Sequence, residues 1–149
     1  MSTVLPMNRL PESARRLFDE PKDVMIVTVD PDGSPQASLV WAERDGDEIL
    51  IGIQQPHRKA RNLQRDPRVT LVVQDDRVSP RGITQYLVVR GTAKLEGPGI
   101  PDDYKALMDS ETKRYLNQPE FPYGEGIWDT GMIARITVDR VTGEGPWAG

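Results

Sequence analysis

Cysteine is absent from the chain, and histidine occurs once, as His57. The first absence excludes disulfides and thiolate chemistry. The second leaves too few imidazoles for a catalytic triad, a zinc site and a phosphate contact together, and no Cys/His spacing supports zinc. No apolar run approaches the ~20 residues a helix needs to cross a bilayer. The N-terminus has no basic-then-apolar leader pattern, so a soluble, cytoplasmic chain without a membrane partner is expected. There is no Gly-rich Walker loop, no G-x-G-x-x-G after a strand, no internal repeat and no low-complexity segment. General basicity is lacking too: 19 Lys/Arg stand against 23 Asp/Glu, a net charge of −4. Nothing therefore pulls the chain toward nucleic acid or an anionic surface. The 149 residues suffice for one domain burying about 70% of its unfolded surface. We expect a single domain over 1–149, with 1–8 and 143–149 as loosely ordered tails.

What is present is a concentration of charge. Gln54 to Thr70 holds Arg58, Lys59, Arg61, Arg65 and Arg68 against Asp66 alone, a local +4 that leaves the remainder near −8. The stretch lies between two apolar runs, Ile49-Leu50-Ile51-Gly52-Ile53 and Val69-Thr70-Leu71-Val72-Val73. Pro56 fits the first position of a helix, and Pro67 ends it, because the residue before proline leaves the α region. His57, Arg58 and Lys59 then oppose the helix dipole at its N-terminus, a seat that suits a phosphate. A compact anion explains cations in that place. A charge run taken alone is more often a solvated surface helix, and a lone histidine more often a cap than a catalyst.

The elements around it read in order. Leu10, Ala14, Leu17 and Phe18 have helical spacing, with Asn8 as a cap and Pro21 as the stop. Asp23 to Val29 is a β-branched strand, turned by Asp30-Pro31-Asp32-Gly33-Ser34 into Gln36 to Glu43. A second turn at Asp45-Gly46-Asp47 leads into Glu48 to Ile53, a three-stranded meander. Strands follow over Arg68–Gln74, Thr84–Glu96 and Met132–Val138, and a helix begins at Pro101. Gly91 suggests a bulge or bend in the longest strand. The class is mainly β (α+β): a six-stranded antiparallel barrel with a few peripheral helices.

Three segments carry a resemblance. Asp32-Gly33-Ser34-Pro35-Gln36-Ala37-Ser38 is similar to the opening of the pyridoxamine-phosphate-oxidase-like split β-barrel family. Arg58-Lys59-Ala60-Arg61-Asn62-Leu63 resembles its phosphate helix, and Tyr86 to Ala93 its later Y-x-x-x-x-G-x-A strand. Together they span roughly Asp23 to Leu95, and the likeness is greatest to the flavin/deazaflavin oxidoreductase branch. The resemblance implies a split β-barrel and a homodimer with the cofactor pocket at the subunit interface. The cofactor would be the deazaflavin coenzyme F420, or FMN in its place.

On residues, the resemblance implies that Arg58 and Lys59 hold the cofactor phosphate, with Asn62 near it. His57 and Arg61 belong to the same basic segment. Gly52, Ile53 and Gln54 would lie along the ring with their backbone. Gln36 and Ser38 would approach its polar edge, and Tyr86 would close the pocket from the other subunit. Arg61, Arg65 and Arg81 are available to an oligoglutamyl tail, which favours F420. The basic C-terminal substrate motif of true pyridoxamine phosphate oxidases has no counterpart in Val141-Thr142-Gly143-Glu144-Gly145-Pro146-Trp147, so vitamin B6 oxidation is not expected. The implied activity is hydride transfer between the cofactor and a small conjugated or quinone-like substrate, with the chemistry on the cofactor. No catalytic side chain and no metal ligand are assigned. A non-enzymatic cofactor carrier is the second function class.

Overall fold

The computed structural model describes residues 9–124 and 126–148; the Asn8 cap and the leading tail lie outside them. Among the described residues there are seven strands, not six: β1 (Val24–Val29), β2 (Pro35–Val40), β3 (Glu43–Asp45), β4 (Glu48–Gln54), β5 (Arg68–Val78), β6 (Thr84–Glu96) and β7 (Gly131–Glu144). The helices are α1 (Arg16–Asp19), α2 (Arg58–Arg65) and α3 (Pro101–Leu116). One antiparallel sheet runs in the order β2-β1-β5-β6-β7-β4-β3.

The extra strand arises because the expected strand Gln36–Glu43 breaks at Trp41-Ala42. Backbone groups there are satisfied by α3 rather than by a neighbouring strand. The Ala42 N–H donates to the Tyr115 hydroxyl at 3.1 Å, that hydroxyl donates to the Lys22 carbonyl at 2.6 Å, and Arg114 donates to the Ala42 carbonyl. The expected meander is therefore absent, and β2 and β3 sit at opposite ends of the strand order. Only two residues separate them in sequence, so the sheet must curl until its ends meet. The barrel is split where β2 and β4 leave that corner without pairing.

Alternation fills the barrel. Val24 and Ile26 of β1, Ile49, Ile51 and Ile53 of β4, Leu71 and Val73 of β5, and Leu87 and Val89 of β6 form one buried cluster with Leu10, Ala14, Leu17 and Phe18. The first helical segment is shorter than its apolar spacing predicts: a 3-10 turn at Glu12–Ala14 precedes α1. Arg16 of α1 donates two hydrogen bonds to the buried Asp75, which Gln85 also contacts at 3.1 Å. Burial alone would raise that carboxyl, but the bonds from Arg16 and Gln85 hold it well below the usual carboxylate range.

Gly91 marks a bulge, as its place in the strand suggests. The register of β6 against β7 shifts between Arg90 and Gly91, and a Cβ there would lie 2.5 Å from the Thr137 carbonyl. The last strand is twice the expected length, and Gly143 and Glu144 pair with Leu87 and Tyr86. The described tail beyond them, as far as Ala148, is packed rather than loose. Trp147 is buried, and its indole N–H donates to the Tyr86 carbonyl at 2.9 Å.

Helix α3 has Pro101 at its start, Asp102 and Asp103 in the first turn, Lys113 and Arg114 in the last, and Asn117 as a left-handed cap. Each suits its place in the dipole. Its Tyr104 and Leu107 pack with Ile133 as a second apolar cluster. The outer face opposite the core carries an apolar row in direct register, Leu39, Met25, Val72 and Val88. Leu39 is 64% exposed. Among the described residues no helix is long and apolar enough to cross a membrane.

Candidate functional site

Helix α2 starts at Arg58, two residues later than Pro56 suggests. His57 is the N-cap with an extended backbone (φ −65°, ψ 145°), and its carbonyl accepts the N–H groups of Ala60 and Arg61. The N–H groups of Arg58 and Lys59, in the same first turn, are the free donors of a helix N-terminus. There is no acid in the first turn and no side-chain cap. Ala60 and Leu63 are buried in the core, which fixes the other face outward.

Lys59 and Ser38 meet across the split. The Lys59 ammonium donates to the Ser38 hydroxyl at 3.3 Å. Among the described residues no ion pair joins Lys59 to an acid. Burial lowers its pKa, and it lowers that of His57 as well, with the nearby Lys59 charge adding to the effect. Arg58 is engaged differently: its Nε lies 3.1 Å from Asp30, leaving the guanidinium largely exposed. Arg61 is exposed beside it.

Asn62 turns inward. It is 2% exposed, and its amide donates to the Thr28 hydroxyl and to Asp30, both at 3.0 Å. The Thr28 hydroxyl in turn donates to Gln36 at 3.2 Å. Asn62 thus seats α2 on β1, and Gln36 is linked to the helix through Thr28. Two members of this network, Thr28 and Asp30, escape a reading by motif. The available signal is a threonine at an inward position of an otherwise apolar alternation, Val24, Ile26, Thr28.

Strand β4 supplies an edge rather than side chains. Ile53 points into the core, and Gly52 faces α3, where a Cβ would lie 3.0 Å from the Met108 sulfur. The Gln54 amide donates to the Tyr104 hydroxyl at 2.9 Å and to the Ile127 carbonyl at 3.1 Å, and Gln54 accepts from Thr130. On one side Ile49 to Gln54 pair with β7; on the other, pairing with β3 ends at Leu50. The backbone from Ile51 to Gln54 therefore presents an unpaired edge to the split.

Two residues lie elsewhere. Tyr86 pairs with Gln74 on the outer face, about 20 Å along β5 from the end of α2. Arg81 follows β5 at its far end, 3.4 Å from Glu144. Neither meets α2 within one chain. Among the described residues no group of three His, Cys, Asp or Glu could hold a metal.

The order of these parts matches a known pattern: the family described as pyridoxamine 5'-phosphate oxidase aligns with residues 10–142. The chain belongs to that family. Family membership brings the split barrel with it; the activity in the family's name is not thereby this chain's. Among solved structures, an F420 reductase superposes with a TM-score of 0.71 at 24% identity, covering 89% of this chain and 98% of the other. A conserved protein of Mycobacterium tuberculosis, Rv2991, gives 0.68 at 22% identity, with 95% and 89% covered. A haem storage protein of Vibrio cholerae gives 0.62 at 17% identity, with 92% and 96% covered. At these identities the likeness establishes the fold alone.

Proposed function

We propose that the chain is an oxidoreductase that passes a hydride between coenzyme F420 and a small conjugated or quinone-like organic substrate, acting as an F420H2-dependent reductase. The observation that carries this reading is the seat at the start of α2. Lys59 is half-buried, paired among the described residues with a hydroxyl alone, and set beside free helix N–H donors. An isolated ammonium in that position is costly unless an anion joins it. Lys59 and the N–H groups of Arg58 and Lys59 would hold the phosphate, with the Arg58 guanidinium able to swing from Asp30 to it. The open backbone edge at Ile51–Gln54 would line the ring, and Gln36 and Ser38 its polar rim.

When bound, the reduced deazaflavin supplies the hydride at C5. The protein's part is to fix its distance and face and to exclude water. Exposed Arg61 beside the seat favours F420 over FMN, since it could meet the anionic tail. Arg81, at the far end of β5, would not serve that tail on the same chain. The apolar row on the outer face supports a homodimer in which Tyr86 of a second copy reaches the split.

Fluorescence titration with F420 and with FMN tests the assignment. Arg58→Ala with Lys59→Ala should weaken cofactor binding at least ~10-fold, through loss of charge-assisted hydrogen bonds. Unchanged affinity removes the seat. Binding of F420 without turnover of any acceptor would favour the carrier class.

A further inference from the structure

The chain has three Trp, four Tyr and two Phe, and six of these nine side chains form one connected run. Tyr115 stacks on Trp41 with centroids 5.0 Å apart and planes 10° apart. Trp41 meets Phe121 edge-on at 6.3 Å. Phe121 touches Tyr123 at 5.8 Å and Trp128 at 6.3 Å, and Trp128 reaches Tyr104 at 6.1 Å. Core packing explains the inner end, where Tyr104 is buried and Trp128 lies against the α3 cluster. It does not explain the outer end. Trp41, Phe121 and Tyr123 belong to neither apolar cluster, and Tyr123 is 74% exposed. A contiguous aromatic surface of this kind marks a contact site rather than chance exposure.

Its place in the fold says what it contacts. Trp41 is the first residue after β2 and follows Ser38 by three, about 10 Å of extended chain, so the run begins at one wall of the split. The loop that carries Trp128 is fastened to the other wall, because the Gln54 amide donates to the Ile127 carbonyl and the Gln55 N–H to the Thr130 carbonyl at 3.0 Å. A concavity of about 290 Å³ opens between Trp41, Phe121, Leu39, Val40 and Asp23. The surface is also held in shape. The Phe121 N–H donates to Asp109 at 2.9 Å, and Asp109 pairs with Lys105 at 2.6 Å.

Charge narrows the ligand class. The Lys105 ammonium already lies 5.6 Å over the Trp128 ring, which occupies the position a cationic ligand would take. Indole and phenol faces are electron-rich, so the complementary partner is a flat, electron-poor ring. We propose that Trp41, Phe121 and Tyr123 form the platform on which an uncharged, planar, conjugated hydride acceptor stacks, and that they set substrate choice. That such a molecule is reduced here rests on the cofactor reading above; that it binds here does not.

Equilibrium dialysis with 2-methyl-1,4-naphthoquinone, a flat neutral probe, tests the platform on the full chain. Phe121→Leu with Tyr123→Ala should weaken quinone binding at least fivefold while F420 affinity stays within twofold. In the coupled assay KM for the quinone should rise with kcat little changed. Tyr123→Ala alone, at an exposed position, should weaken binding in the same direction and guards against misfolding of the pair. Equal quinone affinity in these variants, or no quinone binding to the wild-type chain loaded with F420, overturns the platform. Quinone binding that is lost in the variants, in a chain that takes up neither F420 nor FMN, upholds the platform and overturns the cofactor reading instead.

Discussion

Glu111 sits on α3 with 1% of its surface exposed, and its Oε2 has no hydrogen-bond partner among the described residues. Burial pushes the carboxyl up to about 8; Arg114 opposes the shift and Glu43 adds to it. The folded chain therefore keeps this proton where the unfolded chain, near 4.5, releases it. Stability from this group is fully present below about 4.5 and is lost as pH rises toward 8, by ~1.4 kcal/mol per pH unit within that window. Glu111→Gln should flatten the decline, so urea midpoints of variant and wild type should diverge as pH rises from 5 to 8. Parallel midpoints would show that the carboxyl is already ionised at pH 5. This residue could not be read from sequence, because Asp-Ser-Glu-Thr-Lys-Arg looks like the solvated face of a charged helix. Lys59 and Ser38 were singled out through motif resemblance, one for the phosphate and one for the ring edge, but their direct contact was not. Asp30 was not, since aspartate in a turn already has a local reason to be there.

Helix α2 is short and polar apart from Ala60 and Leu63, so its position depends on how it is pinned. Asn62 does this with an amide that donates to Thr28 of β1 and to Asp30 just after it, and Arg65 adds a bond to the Val29 carbonyl. Asn62→Ala leaves Thr28 and Asp30 short of a partner, and the expected loss is about 1–3 kcal/mol in urea unfolding. The same change should weaken cofactor binding, because the N-terminus of the helix shifts with its anchor. An unfolding midpoint within error of wild type would mean that the apolar pair suffices to hold α2. Elements with uninterrupted patterns were legible: β6 has the boundaries its sequence predicts. The end of β7 was hidden because Asp139, Arg140 and Gly143 interrupt the apolar signal, although the strand is held by its ladder to β6. The break between β2 and β3 left no mark, since a strand that changes partners keeps the same alternation.

At the scale of the molecule, the row Leu39, Met25, Val72 and Val88 crosses four strands on a face the core does not use. A second copy burying that row would place two splits near each other and supply the Tyr86 that one chain cannot. Leu39→Lys should shift the chain toward monomer in sedimentation velocity and weaken cofactor binding. A wild-type monomer at micromolar concentration would remove the shared pocket. The Trp41-Ala42 corner has a different consequence. Ordinary open sheets end in two independent rims, each able to recruit a foreign strand. Here both rims belong to one bent ribbon, cinched by the Tyr115 hydroxyl and Arg114, so neither can fray without pulling on the other. The hoop is fastened from outside by a helix tip, and a loosened tip would free both rims to templated aggregation at once.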